Sequence, residues 1–235
     1  MKKAIFTIAL GANNPMYSAA LKSFQWYADK VGADLLVSTE LHFPLHIDNR
    51  NYPANPAWAE KMRIGELLNH YDRVLYLDAD VLITPDARDI FTLCPELDVT
   101  YLFDEGQYAV RNEAIESISK VLGPLAHWSS SGGNPTYYNL GVMLVSRHSQ
   151  LFSHASMDEL QQVCNHAKYY EQTYFNHLLH KHHLKHQRLP AEFNRMELLG
   201  LSQYKQADFI HYANKGFSGS GRRRELQYVQ DFCAF

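Results

Sequence analysis

The run RVLYLDADVLITPD, residues 73–86, constrains the fold of this chain more than any other stretch. The apolar residues 74–77 lead straight into two carboxylates, Asp78 and Asp80, and residues 81–83 are apolar again. An exposed turn rarely carries such flanks on both sides. Burying two anions beside a β-strand is costly unless a cation sits between them. Side chains two apart on a strand share a face. In open α/β sheets, ligands gather outside the carboxyl ends of the strands. Oxygen donors suit Mg²⁺ or Mn²⁺, whose remaining positions are often filled by substrate phosphates. The run therefore predicts a divalent-metal site at the end of a central strand, acting on a phosphate-bearing substrate.

The surrounding pattern is α/β. Residues 3–10 read as a buried strand, and residues 16–31 as a helix, with Ala20, Leu21, Phe24, Tyr27, Ala28 and Val31 on one face and Gly32 as the stop. A second strand follows at 33–38, so the chain opens as a β-α-β unit and predicts a parallel sheet. Helices are expected at 57–70, 86–93, 111–122, 149–163 and 169–181. Strands are expected at 73–77, 98–103, 139–146, 183–187 and 208–211. The SSSGGNP stretch, residues 129–135, reads as a mobile loop, and a short helix closes the chain.

At 235 residues the chain can bury a substantial core within one domain. A net charge of −3 excludes bulk attraction to nucleic acid. Cys94, Cys164 and Cys233 form neither a disulfide framework nor a zinc pattern, which suits a reducing compartment. The opening MKKAIFTIALG reads as a first strand rather than a signal peptide, and no stretch approaches the roughly 20 apolar residues of a membrane span. A cytoplasmic protein is expected, with at most peripheral membrane contact through FSGSGRRR and the aromatic residues after it.

Two other groupings are read as ordinary surface. Asp104 and Glu105 form a second carboxylate pair, assigned to a solvated loop. HLLHKHHLKHQR, residues 177–188, holds five histidines without the spacing of a defined metal site, and is assigned to a polar helix face and an exposed strand.

YLDADVLI resembles the DxD motif of GT-A-fold glycosyltransferases, especially those of family 8. Further segments resemble that family in the same order. They are RIGELLNHYDRVLYLDAD, YYNLGVMLVSR (137–147), EQTYFN (171–176), LPAEFN (189–194) and ADFIHYANKGF (207–217). The resemblance implies a single GT-A-type, Rossmann-like domain with a mixed, mainly parallel central sheet flanked by helices. Residues 1–103 would form its nucleotide-binding half, 104–217 its donor-sugar and acceptor half, and 218–235 a tail helix. It implies a nucleotide-sugar donor, UDP-linked, and a glycan or glycoconjugate acceptor, with retention of configuration. Mn²⁺ or Mg²⁺ would be held by Asp78, Asp80 and His211. Arg63 and Asn139 would contact the donor sugar, Gln172 would lie near the anomeric carbon, and Glu171 would bind sugar hydroxyls. Ala79 belongs to the DxD contact with the donor.

The chain departs from the family twice in its binding motifs. Lys215 lies four residues after His211 with no Pro-Trp following, where the family has a lysine six residues on, in a Lys-Pro-Trp element. Lys215, or one of Arg222, Arg223 and Arg224, is left to hold the diphosphate. The first strand runs into ALGANNPMY without the usual acidic residue. Recognition of the base would then fall to the backbone of Ala9, Leu10 and Gly11 and to Asn13 or Tyr17, and the base stays open.

Two alternatives compete. A phosphatase of the haloacid dehalogenase type shares the strand-DxD pattern, with its first Asp as nucleophile. Here, however, a β-α-β unit precedes the motif and no later acidic pair follows. The other is a sugar-nucleotide-binding module without activity.

Overall fold

The computed structural model describes residues 1–11, 14–48, 50–218 and 221–235. In chain order its strands are β1 (Lys3–Ile8), β2 (Asp34–Ser38), β3 (Arg73–Asp78), β4 (Val81–Ile83), β5 (Thr100–Asp104), β6 (Ser130–Ser131), β7 (Asn134–Pro135), β8 (Tyr138–Ser146), β9 (His186–Arg188) and β10 (Phe209–His211). The helices are α1 (Pro15–Val31), α2 (Arg63–Leu67), α3 (Ile90–Leu93), α4 (Asn112–Leu122), α5 (Met157–Val163), α6 (Tyr170–Lys181) and α7 (Gly221–Ala234).

A six-stranded sheet runs in the order β2-β1-β3-β8-β5-β9. β1, β2 and β3 are parallel, as the β-α-β opening predicts. β8 is antiparallel to both of its neighbours, and β5 and β9 are parallel again. The sheet is therefore mixed and mainly parallel. Because strand side chains alternate, it serves two cores. Ile5, Leu75, Leu77, Val142 and Leu144 face α1, β4 and β10. Phe6, Tyr76, Met143 and Val145 face α2 and α4 to α6. All nine residues of β8 are buried, which is why it reads as a continuous apolar run rather than an alternating one.

Local chemistry explains the element ends. Asn14 caps α1, its side chain accepting from Met16 N at 2.9 Å, and Gly32 stops it at φ 65°. The helix expected over 149–163 begins only at Met157, where Ser156 accepts from Asp158 N at 3.2 Å. The segment expected as one helix over 57–70 opens as a 3-10 turn, Pro56–Met62, before α2. The loop at 129–135 is a hairpin of β6 and β7, turning through Gly132 and Gly133 at φ 61° and 88°.

Two surface assignments are corrected. Asp104 and Glu105 are each only 2% exposed. β5 extends through Asp104, and the next turn is pressed against the β7–β8 connection, where a Cβ on Gly106 would meet Tyr137 N at 2.8 Å. His177 and His180 are also buried. α6 is covered by α4 and α5 as well as by the sheet, so its histidine-bearing side is not a solvated face. Burial pushes both imidazoles down to about 4, and His180 packs at a tilt against Trp128 with centroids 4.4 Å apart.

The element that completes the site is small. β4 pairs antiparallel with β10, Val81 opposite His211 and Ile83 opposite Phe209. α7 packs against α1 and the turn before it, with Phe232 stacked on Trp26 at 5.4 Å.

Candidate active site

β3 ends on Asp78 and β4 starts at Val81, so Asp80 lies on the tight link between them. The β4–β10 register then sets His211 beside that link. His211 Nε2 is 3.2 Å from Asp80 Oδ1 and 3.9 Å from Asp78 Oδ2. One ligand atom from each of the three residues lies within 4.8 Å of the others.

The second nitrogen of His211 settles the tautomer. Nδ1 lies 2.8 Å from Asn194 Oδ1, which can only accept, so Nδ1 carries the proton. Nε2 is left to face two carboxylates. That arrangement is repulsive unless a proton or a cation fills the gap. Burial would lower the imidazole pKa, but Asp80 and Asp78 outweigh it and raise it. Burial likewise works against the Asp80 anion, and His211 and Arg224 overcome it and hold its carboxyl below the usual range. Asp80 Oδ1 is buried without a well-formed hydrogen bond. Two carboxylates and one neutral imidazole suit Mn²⁺ or Mg²⁺. The donor set present fits a divalent metal.

β8 comes close enough only because of Gly141. Its pairing with β5 jumps from Leu102↔Met143 to Phe103↔Asn139, so β8 bulges through residues 140–142 at the site. A Cβ on Gly141 would lie 2.9 Å from Asp78 Oδ2 and would collide with the His211 ring.

Behind the triad lies a polar network. Asn139 Oδ1 accepts from Asn194 Nδ2 at 3.0 Å and from Gly141 N at 2.9 Å. Asn139 Nδ2 donates to Glu105 Oε2 at 3.1 Å. Gln172 Nε2 donates to Glu105 Oε1 at 3.1 Å, and Gln172 Oε1 accepts from Leu140 N at 3.2 Å. Arg111 Nε donates to the same Glu105 oxygen at 2.7 Å. On the other side, Lys61 Nζ bridges Glu171 Oε1 at 2.5 Å and Asp78 Oδ1 at 3.6 Å. Tyr76 donates its hydroxyl to Asp78 Oδ1 at 2.6 Å. One ammonium thus faces two carboxylates. Burial pushes Glu171 up to about 7, with Lys61 pulling the other way and Asp78 adding to the rise. For Lys61, the two carboxylates outweigh burial and raise it.

The triad, Lys61, Glu105, Arg111, Asn139, Glu171 and Gln172 line a cleft of about 680 Å³ that also takes in Trp58, Tyr169 and Arg224. Two smaller grooves lie at the carboxyl end of β1. One, of about 340 Å³, includes Ala9, Gly11 and Tyr17. The other, of about 150 Å³, includes Tyr17, Ala79, Asp80 and Arg224.

The structure brings Asp78, Ala79, Asp80, Asn139, Glu171, Gln172 and His211 together at these openings. It places Ala9, Gly11 and Tyr17 at the neighbouring groove. Leu10 is half-buried beside that groove and does not line it, and Asn13 lies outside the described residues. Arg63 does not reach the cleft. Its guanidinium donates to Ser38 Oγ at 3.3 Å and lies over the Phe6 ring. Lys61 lines the cleft instead, because the 3-10 turn and α2 present residue 61 to the cleft and residue 63 to the sheet. Lys215 is exposed and outside the cleft lining, where Ala213 and Asn214 lie instead. Arg224 Nη1 reaches Asp80 Oδ2 at 3.4 Å. Sequence reading did not assign Lys61, Glu105 or Asn194. Asn194 was within reach, since it ends the LPAEFN segment.

A strand-borne acidic pair at the carboxyl edge of a mixed sheet, closed by a histidine from a β-ribbon, is a GT-A glycosyltransferase architecture. A family model described as glycosyl transferase family 8 matches residues 59–216, and the chain belongs to that family. Solved structures of similar fold include a glycosyltransferase involved in glycosylation of the major capsid of PBCV-1. That match is 13% identical, covers 98% of this chain and 100% of that one, and has a TM-score of 0.59. The galactosyltransferase LgtC, in complex with donor and acceptor sugar analogs, is 16% identical over 97% of this chain and 95% of that one, with a TM-score of 0.60. The glycosyltransferase GlyE of Streptococcus pneumoniae TIGR4 is 17% identical over 100% of this chain and 62% of that one, with a TM-score of 0.54. At such identities the likeness is one of fold. No curated protein matches. The family sets aside the phosphatase and binding-module alternatives.

Proposed function

We propose that this glycosyltransferase moves a sugar from a nucleoside-diphosphate donor, UDP-linked, to a hydroxyl of a glycan or glycoconjugate, with retention. Asp78, Asp80 and His211 would hold Mn²⁺ or Mg²⁺. The observation that carries the reading is the convergence of Asp78, Asp80 and His211 Nε2, with the ring held toward the two carboxylates by Asn194. When bound, the metal supplies electrostatic stabilisation of the departing diphosphate. The chain's own residues do the rest. The groove at Ala9, Gly11 and Tyr17, with Leu10 beside it, receives the base. Lys61, Glu171 and Asn139 receive the sugar, with Gln172 held rigid by Glu105 and Leu140 N near the anomeric carbon. Ala79 lies between base and sugar. The acceptor enters past Arg111 and Tyr169.

Retention fits the two buried cleft carboxylates. Glu105 accepts from Arg111 and Glu171 is paired with Lys61, so neither is poised as a base toward an acceptor. In a front-face transfer the leaving phosphate takes the acceptor proton. Residues 1–103, 104–217 and 218–235 act as one domain. None of the helices among the described residues is long and apolar enough to cross a membrane, and all three cysteines are free. Action in the cytoplasm, with at most peripheral membrane contact, suits both.

The test is thermal stability with UDP, GDP, dTDP and ADP, each with and without Mn²⁺. A ligand at about 100 times its Kd stabilises by roughly 2.7 kcal/mol. The expected result is a Mn²⁺-dependent shift with one diphosphate, lost in Asp78→Asn and Asp80→Asn. No shift with any of the four would overturn the proposal.

A further inference from the structure

The family match ends at residue 216, yet the chain goes on into α7, and α7 carries a side chain into the site. We infer that Arg224 is the cation that holds the donor's diphosphate, and that its pairing with Asp80 sets it in opposition to the metal. The inference rests on the donor-site reading above and deepens it.

Position is the first argument. Arg224 lines both the main cleft and the small groove shared with Tyr17, Ala79 and Asp80. A donor with its base near β1 and its sugar near Lys61 and Glu171 must lay its two phosphates between them, and Arg224 stands there. It contacts Asp80 through one nitrogen only, at a long 3.4 Å. An arginine fork has four further N–H groups, suited to two phosphate oxygens at once. The other cations near the site serve it less well. Lys215 and Arg223 are exposed and line neither opening, and Lys61 is committed to Glu171. The side chain of Arg222 lies outside what is described.

Anchoring is the second argument. Asp231 is buried, and it accepts from the hydroxyls of Tyr204 and Tyr212 at 2.7 Å each and pairs with Lys205 at 2.5 Å. Tyr228, one turn after Arg224, donates to Val81 O at 2.6 Å, the carbonyl next to Asp80. The Tyr228 bond ties α7 to the end of the link that carries Asp80, and the Asp231 bonds tie it to the segments on either side of β10. Gly216 turns at φ 57°, and a Cβ there would lie 3.1 Å from Arg224 Cγ, so the turn leaves a path for this side chain. A helix that only covered core would need no such aim at one carboxylate.

Electrostatics then predicts effects of opposite sign. Removing a positive charge beside Asp80 makes the triad more attractive to a divalent cation. The same removal takes a charge-assisted contact from the diphosphate. A residue with a merely structural role would weaken both. The experiment titrates Mn²⁺ alone, and then inorganic pyrophosphate, UDP, GDP, dTDP and ADP in the presence of Mn²⁺, into the native protein and into Arg224→Ala, Arg224→Lys and Arg223→Ala. Pyrophosphate makes the result independent of the base.

In Arg224→Ala, Mn²⁺ should bind several-fold more tightly, while pyrophosphate and the preferred diphosphate lose roughly ten- to hundred-fold in affinity. Arg224→Lys should keep native Mn²⁺ affinity and recover part of the diphosphate affinity. Arg223→Ala should match the native protein in both. Native pyrophosphate affinity in Arg224→Ala would overturn the inference, as would a parallel loss of both affinities with lowered thermal stability. A native protein that binds neither Mn²⁺ nor any diphosphate would overturn the donor-site reading, and this inference with it. Native binding that Arg224→Ala leaves unchanged removes only the role of Arg224.

Discussion

Gly141→Ala adds one methyl group where the structure has no space for it. The new Cβ would stand 2.9 Å from Asp78 Oδ2 and 3.0 Å from His211 Nδ1, against ordinary contacts of 3.4–4 Å, and it would be closer still to His211 Cε1. The ring and the carboxylate must therefore retreat by at least about half an ångström. Metal sites hold ligand distances to within about 0.2 Å, so the triad cannot keep its geometry. Overpacking of this kind costs about 1–3 kcal/mol. Loss of chain entropy in the unfolded state returns about 0.4–1 kcal/mol of that. The expected variant is folded, slightly less stable, and about 10- to 100-fold weaker in Mn²⁺ affinity, the range seen when the orientation of a ligand is disturbed. Urea denaturation measures the first quantity and isothermal titration with MnCl₂ the second. Native Mn²⁺ affinity in Gly141→Ala would refute the argument, because a ring displaced that far could not still be a ligand.

Two further outcomes follow from the cleft. Lys61→Met should destabilise by about 1–3 kcal/mol, because buried Glu171 loses its ion-pair partner and takes up a proton instead, and should raise the donor KM. Arg63→Ala should cost under about 1 kcal/mol and leave the donor KM unchanged, and the opposite ranking in steady-state kinetics would return the sugar contact to Arg63. Glu171 is lifted by burial, against Lys61, from 4.5 to about 7, so the fold keeps a proton that the unfolded chain releases. Its contribution is full below the unfolded value and is lost as pH rises through about 7, an effect on the order of 1–3 kcal/mol. The stability of native protein relative to Glu171→Gln should therefore fall between pH 5 and pH 8 in urea titrations, and parallel profiles would contradict it.

The elements that sequence reading located best are those whose burial follows a simple period. α1 shows its apolar face at helical spacing, with Gly32 as the stop, and β3 and β8 each carry a short apolar run. The helix expected over 149–163 was less legible, because its first half is turn, and the N-cap at Ser156 offers the same hydroxyl signal as the serines before it. Legibility at the site followed the same division. Asp78, Asp80 and His211 sit at the ends of apolar strands, so local pattern marks them before any packing is known. The positions of Lys61 and Arg63 were not legible, because two residues turn a helix by about 200°, and a 3-10 turn by about 240°. A small error in helix type or phase there exchanges the cleft face for the sheet face.

The sequence by itself determined the α/β alternation, the carboxylate pair on a central strand, the histidine on a late strand, and the order of segments that marks the family. Only the tertiary structure decided what surrounds them. The β5–β8 bulge that brings Gly141 against the triad, the burial of Asp104, Glu105, His177 and His180, and the reach of Arg224 across to Asp80 all depend on pairings between residues far apart in the chain. Hydrophobic period reports which face of an element is apolar within a few residues of itself. It carries no information on which distant element will cover that face. Polar residues that read as solvated are therefore the ones whose place only packing can reveal.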